Sequence, residues 1–138
     1  MIDPQDADRY SGRIGLSHYN GVDIAEQFGL IDQFSWLTDC VYAVHLMPPG
    51  HLLPNHGDNY RSYCQRRGLE DSNSIIRVIV FLQDWQPGHI LQIDRQLHAD
   101  WKAGEWVAWT GSTSHLAANL GSTNRYTLQI TGQQKGLL

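Results

Sequence analysis

GEWVAWTGSTSHLAANLGSTNRYTLQIT, residues 104–131, is the stretch whose reading decides the fold. Runs rich in Trp, Val, Tyr, Thr and Ile alternate with Gly, Ser and Asn, the pattern of short strands separated by tight connections. Strands are expected over 104–110, 114–119 and 124–131. Gly121-Ser122-Thr123 suits a three-residue hairpin loop, which would pair Asn119 with Arg125. Outward from there the same pattern recurs toward the N-terminus, predicting strands over 38–47, 53–58, 75–83, 88–94 and 96–99. Eight short strands suit a mainly β jelly roll. Ahead of them, Asp23-Ile24-Ala25-Glu26 has the form of a capping box, and Ile24, Phe28 and Ile31 follow at helical spacing, so one short N-terminal helix is expected over 24–33.

The chain has 138 residues, enough for one continuous apolar core and too few for two ordinary domains, so residues 1–138 are expected to form a single domain. Its formal charge is −4 and it has no Lys/Arg-rich run, which argues against gripping nucleic acid through the phosphates. Met1–Gly12 is polar and acidic, unlike a secretory signal, and the apolar run from Ile75 to Leu82 is interrupted by Arg77 and far short of a membrane span. A soluble, cytoplasmic protein is expected. Cys40 and Cys64 have no metal-knuckle spacing and are read as two reduced thiols.

His56-Gly57-Asp58 places an imidazole and a carboxylate at i and i+2, which in an extended chain share a face roughly 6.6 Å apart. Two imidazoles and one carboxylate on one side of a metal leave open positions, the arrangement of iron(II) oxygenases. Among the other histidines, His45 alternates with apolar residues and reads as a hydrogen-bonded core or interface residue. His51 is cut off from His56 by Pro54, and His89 has no carboxylate two residues away. His98-Ala99-Asp100 is a second H-x-D, but it would sit at the opposite end of the 104–110 strand from His115, roughly 20 Å away. It reads as a polar turn.

The sequence His56-Gly57-Asp58, then His115, then Arg125 and Thr127, resembles the H-x-D, distal His and R-x-S/T pattern of Fe(II)/2-oxoglutarate-dependent dioxygenases. Met47-Pro48-Pro49-Gly50-His51 and Trp101-Lys102-Ala103-Gly104-Glu105 are similar to segments of the aspartyl/asparaginyl β-hydroxylase branch. That branch typically lacks the carboxylate ligand, whereas Asp58 is present here as in prolyl hydroxylase-like members. Asp58 also argues against a halogenase, in which that position is vacated for halide. The resemblance covers about residues 37–131 and implies a cupin-like double-stranded β-helix. It further implies Fe(II) held by His56, Asp58 and His115, with 2-oxoglutarate as cosubstrate and O2 as oxidant. Decarboxylation to succinate and CO2 would accompany hydroxylation of a C–H bond, with a prolyl, aspartyl or asparaginyl side chain, in a protein or a free amino acid, as the implied target.

On the expected hairpin, His115, Ala117, Asn119, Arg125 and Thr127 share one face pointing into the barrel. Arg125 can then take the far carboxylate of 2-oxoglutarate in two charge-assisted hydrogen bonds, with Thr127 and Asn119 beside it. Arg77 interrupts an apolar strand and needs a partner: 2-oxoglutarate, substrate, or Asp84 or Asp94. The polar segment 59–74 is long for a connection and reads as a possible lid. Tyr60, Arg61 and Trp85, in connections near the expected mouth, are candidate substrate contacts. A metal-dependent cupin that does not use 2-oxoglutarate and a non-enzymatic jelly-roll binding module are the competing readings.

Overall fold

The structure, a computed structural model, describes residues 13–134. It contains two five-stranded sheets. The first has the order β1 (Arg13–Ile14), β4 (His51–His56), β9 (His115–Asn119), β6 (His89–Ile93), β7 (Gln96–His98). The second has the order β2 (Ser17–Asn20), β3 (Leu37–Met47), β10 (Arg125–Gln134), β5 (Ile75–Phe81), β8 (Trp106–Thr110). Apart from the parallel contact of β1 with β4, the neighbours are antiparallel. The chain passes repeatedly from one sheet to the other, and this winding makes the double-stranded β-helix.

Burial patterns follow from what covers each sheet. On β5 only Arg77 is not fully buried, because that sheet is covered on both faces; hence its near-continuous apolar run. One face packs under α1 (Val22–Gln27) and α2 (Leu30–Gln33), where Ala25, Leu30 and Phe34 meet Val78, Val80, Leu128 and Ile130. The other face looks at the first sheet, where Met47, Ile79, Phe81, Leu91, Trp101, Trp109 and Ala117 form the inter-sheet core. On β9, by contrast, buried residues alternate with partly exposed ones, as expected of a sheet covered on one side. Burying each large aliphatic side chain contributes about 1.5–3 kcal/mol, so these two clusters supply much of the driving force.

All eight expected strands are present, and the expected mainly β architecture with a short N-terminal helical region is the observed one. Three local expectations fail. The N-terminal helix is two helices, because Gly29 adopts a left-handed conformation (φ 67°) and ends the first. The capping box does not form: the helix starts two residues earlier, behind Gly21, and the Asn20 side chain accepts the Val22 N–H at 2.9 Å. The 119–125 hairpin is absent, since β9 and β10 belong to different sheets and residues 120–124 cross between them. The inward face nonetheless survives. His115, Ala117, Asn119, Arg125 and Thr127 are all buried because two facing sheets, rather than two paired strands, present them to the same interior.

The 59–74 segment contains a helix, α3 (Arg61–Arg67), flanked by left-handed Tyr60 and Gly68. Tyr60, Tyr63 and Ile75 form a small core beneath it, and the Tyr63 hydroxyl donates to the Asp39 carbonyl at 2.8 Å. It is a packed wall. Among the described residues no helix is long and apolar enough to cross a membrane.

Candidate metal centre

β4 and β9 are neighbours, and their register places His56 opposite His115. The two rings lie 4.4 Å apart, and Trp109 packs on His115 from the facing sheet at 4.7 Å. Asp58, just past the end of β4, turns back toward both: its Oδ1 is 3.5 Å from His56 Nε2 and its Oδ2 is 3.4 Å from His115 Nε2. One atom from each of the three side chains falls within a 4.8 Å group, the only such His/Cys/Asp/Glu grouping of three or more among the described residues. Gly57 permits the turn, since a Cβ there would collide with the Ser112 carbonyl oxygen.

The protonation of the rings follows from their other nitrogens. His56 Nδ1 lies 2.7 Å from the Pro54 carbonyl and His115 Nδ1 lies 2.9 Å from the Thr113 carbonyl. A carbonyl only accepts, so each Nδ1 carries a proton and each ring turns its Nε2 toward Asp58. Burial raises the Asp58 carboxyl, but His115, His56 and the Arg77 guanidinium together outweigh that and hold it well below the usual carboxylate range. The His56 ring is raised by its contact with Asp58, against the opposing effect of burial. Once the Nε2 atoms are deprotonated, two nitrogen lone pairs and a carboxylate converge on one point. The donor set therefore fits a divalent metal of the kind that takes nitrogen and oxygen ligands.

These residues form part of the lining of a cavity of about 340 Å3 between the sheets. Arg125 also lines it. The Arg125 side chain is 4 % exposed, packs 5.8 Å from the Trp101 ring, and makes no ion pair or hydrogen bond with any described residue; its Nε is buried without a partner. Burial lowers its pKa to about 10, which still leaves it charged. Thr127, 2 % exposed, lines the same cavity. An uncompensated buried guanidinium is costly, and its natural complement is an anion entering from the cavity.

The other expected site residues separate into two groups. Arg77 lines the cavity, but its partner is neither Asp84 nor Asp94: Nη1 donates to Asp58 Oδ2 at 2.9 Å and to Gln129 Oε1 at 3.1 Å. Tyr60 and Arg61 line a second cavity adjoining the first at Asp58 and Arg77. Asn119 lies outside the metal cavity, with its amide committed to the backbone: Nδ2 donates to the Met47 and Thr123 carbonyls at 2.8 and 2.7 Å, and Oδ1 accepts the Gly121 N–H at 3.1 Å. Trp85 also lies outside both cavities, packing against the inter-sheet core and donating its indole N–H to the His89 carbonyl at 2.9 Å. His89 is buried and bonds Thr123, and His98 and Asp100 join no metal-binding group.

His45 is the residue that sequence reasoning placed in the core and the structure places on the cavity wall. It pairs with His18 on β2 and Thr127 on β10, and its ring meets His18 edge-on at 4.5 Å. Burial, then His18, Arg77 and Arg125, lower its pKa to about 3, so it is neutral, and its Nε2 has no hydrogen-bond partner. Its sequence parity with Met47 was visible, but the cavity it faces required knowing that β2 pairs with β3.

Comparison with solved structures shows the fold: a double-stranded β-helix like that of cupin-domain proteins. The chain is similar to the cupin domain of an XRE-family transcriptional regulator from Enterobacter cloacae, with TM-score 0.56 and 11% identity over 87% of this chain and 98% of that one. It is also similar to a Photorhabdus luminescens protein (TM-score 0.53, 12% identity, 96% of this chain and 88% of that one). A cupin protein from Bacteroides fragilis is a further match (TM-score 0.50, 14% identity, 94% of this chain and 85% of that one). At such identities the likeness concerns the fold. No protein-family model and no curated protein matches the sequence.

Proposed function

We propose that this chain is an Fe(II)- and 2-oxoglutarate-dependent dioxygenase that hydroxylates a C–H bond, with His56, Asp58 and His115 as the iron ligands. The observation that carries the reading is the pairing, in one cavity, of a two-His, one-carboxylate group with a buried guanidinium that has no carboxylate of its own. Bound there, iron would supply the electrons and coordination sites that activate O2 together with 2-oxoglutarate. The protein supplies position. The Pro54 and Thr113 carbonyls fix both imidazoles in the tautomer that offers Nε2, and Arg77 holds the Asp58 carboxylate ionised and oriented. Arg125, with the Thr127 hydroxyl, takes the distal carboxylate of the cosubstrate. Leu16, Leu53, Ile79, Leu91 and Ala117 make the intervening wall apolar and limit water. Arg77 and Arg125 against Asp58 leave the cavity one positive charge in excess before any metal enters, which favours a dianion as the cosubstrate.

The test is an anaerobic titration of the Fe(II)-loaded protein with 2-oxoglutarate, followed by admission of oxygen. A visible charge-transfer band on titration and succinate after oxygenation are expected, with the band abolished in Asp58→Ala and needing much more 2-oxoglutarate in Arg125→Gln. The cupin likeness favours a second reading, a metal-dependent cupin that does not use 2-oxoglutarate. Iron binding with no band and no succinate would select it.

A further inference from the structure

Past the Asp58–Arg77 pair lies a second cavity, about 510 Å3 in volume, whose outer wall is α3. Its lining contains four arginines, Arg61, Arg66, Arg67 and Arg77, and one carboxylate, Asp58, in a chain whose formal charge is −4. A chain with an acidic balance that gathers four of its ten basic residues around one recess has concentrated positive potential there. Among the described residues, the only arginine ion pair is Arg77 with Asp58; Arg61, Arg66 and Arg67 face no carboxylate within ion-pair distance.

Two of these guanidinium groups are held in place against tyrosine rings; Arg77 is also paired with Asp58, whereas Arg67 is fixed without being neutralised. Arg67 lies over the Tyr63 ring at 3.8 Å and donates Nη2 to the Asp39 carbonyl at 3.1 Å, while its Nε is buried without a partner. Arg77 lies over the Tyr60 ring at 4.6 Å, and its Nε is likewise buried and unpartnered. Ring faces and a neutral carbonyl fix a cation's position and leave its charge available, whereas solvated surface arginines need neither. Arg61 and Arg66 project from the same short helix into the same space. The volume is that of a small-molecule site. Because Asp58 and Arg77 line both cavities, an occupant of this one lies directly beside the metal group.

We propose that this second cavity receives the substrate, and that the substrate is a small molecule whose anionic oxygen group, carboxylate or phosphate, is held by Arg61, Arg66 and Arg67. This rests on the dioxygenase reading for the word substrate, but the anion site itself does not. The inference favours a free acid over an uncharged prolyl side chain as the species oxidised.

The test uses the full chain without metal, following the arginine side-chain N–H signals by NMR during titration with inorganic phosphate in one arm and acetate in the other. Saturable shifts of Arg61, Arg66 and Arg67 are expected, with the apparent Kd raised at least ten-fold in Arg61→Gln/Arg66→Gln and unchanged in Arg125→Gln. Tighter phosphate binding identifies a phosphorylated substrate, and comparable acetate binding identifies a carboxylic acid; either supports the proposal. Shifts that do not saturate, or that the double variant leaves unchanged, overturn it. Neither iron nor 2-oxoglutarate is present, so loss of the dioxygenase activity in the earlier test would leave this result standing, and failure here would leave that activity standing.

Discussion

Replacing Arg125 with Met should make the ligand-free protein more stable. Burial brings this guanidinium down from its ordinary value to about 10, and it makes no ion pair or hydrogen bond with any described residue. Each pH unit of such a displacement corresponds to about 1.4 kcal/mol, so the charged side chain destabilises the fold by about 3 kcal/mol. The sign follows from linkage. The unfolded chain binds this proton more tightly than the folded one, so the penalty is complete at any pH below 10 and fades only as pH rises from there toward the ordinary arginine value. Met keeps much of the length and packing, and loses the contact with the Trp101 ring, worth about 0.5–1 kcal/mol. A net gain of about 2 kcal/mol remains, or roughly 5–10 °C in Tm for a chain of this size. Scanning calorimetry of metal-free wild type and Arg125→Met at pH 7 measures it. In a second arm, Mn(II) with 2-oxoglutarate should raise the Tm of wild type well above that of the variant. A variant less stable than wild type by more than about 1 kcal/mol would show that the guanidinium is satisfied within the fold. The reasoning that assigns it to an incoming carboxylate would then fail.

Asn119→Ala should cost about 2 kcal/mol in urea unfolding, because it strips its bonds from the Met47 carbonyl and the Gly121 N–H and leaves the Thr123 carbonyl only the His89 ring, while iron binding per folded molecule stays unchanged. His45 is neutral in the fold, with its pKa lowered to about 3 from 6.5, so the stability it contributes is full above pH 6.5 and is lost as pH falls from there toward 3. Between pH 7 and pH 5 that loss is about 2 kcal/mol, and His45→Leu should show a correspondingly flatter pH profile in denaturant titrations. Gly57→Ala drives a methyl group onto the Ser112 carbonyl and should displace His56 from Asp58, weakening metal binding at least ten-fold in competition with a chromophoric chelator.

What was legible in the sequence is what depends on neighbours in the chain. The strands could be read because alternation and turn residues are local signals, and His56-Gly57-Asp58 could be read because a two-residue spacing fixes a shared face. What depends on distant contacts could not. Gly121-Ser122-Thr123 reads alike whether the chain doubles back or crosses to the other sheet. The crossing is set by the approach of Gly88 to Gly121 and by the three bonds of Asn119, none of which is a sequence pattern. An arginine inside an apolar strand demands a partner but does not name it: 2-oxoglutarate, substrate, Asp84 and Asp94 all fit the sequence, and the carboxylate Arg77 meets is Asp58, brought to it by the fold. The single helix failed on one residue. Gly29 is tolerated inside a helical pattern by periodicity alone, and only its left-handed φ shows that the chain stops and restarts there.

The division of the cavity between sheets gives it the character of a calliper. His56 and His115 are carried by one jaw, and Arg125, Thr127 and His45 by the other. Nearby, the jaws are joined by the five-residue strap 120–124, pinned at its root by Asn119. The gauge of the cavity, the span between the His56–His115 pair and Arg125, is set by how one sheet is seated on the other. Lengthening or shortening that strap is therefore an economical way for such a scaffold to change the size of molecule its cavity admits without altering a residue of its lining.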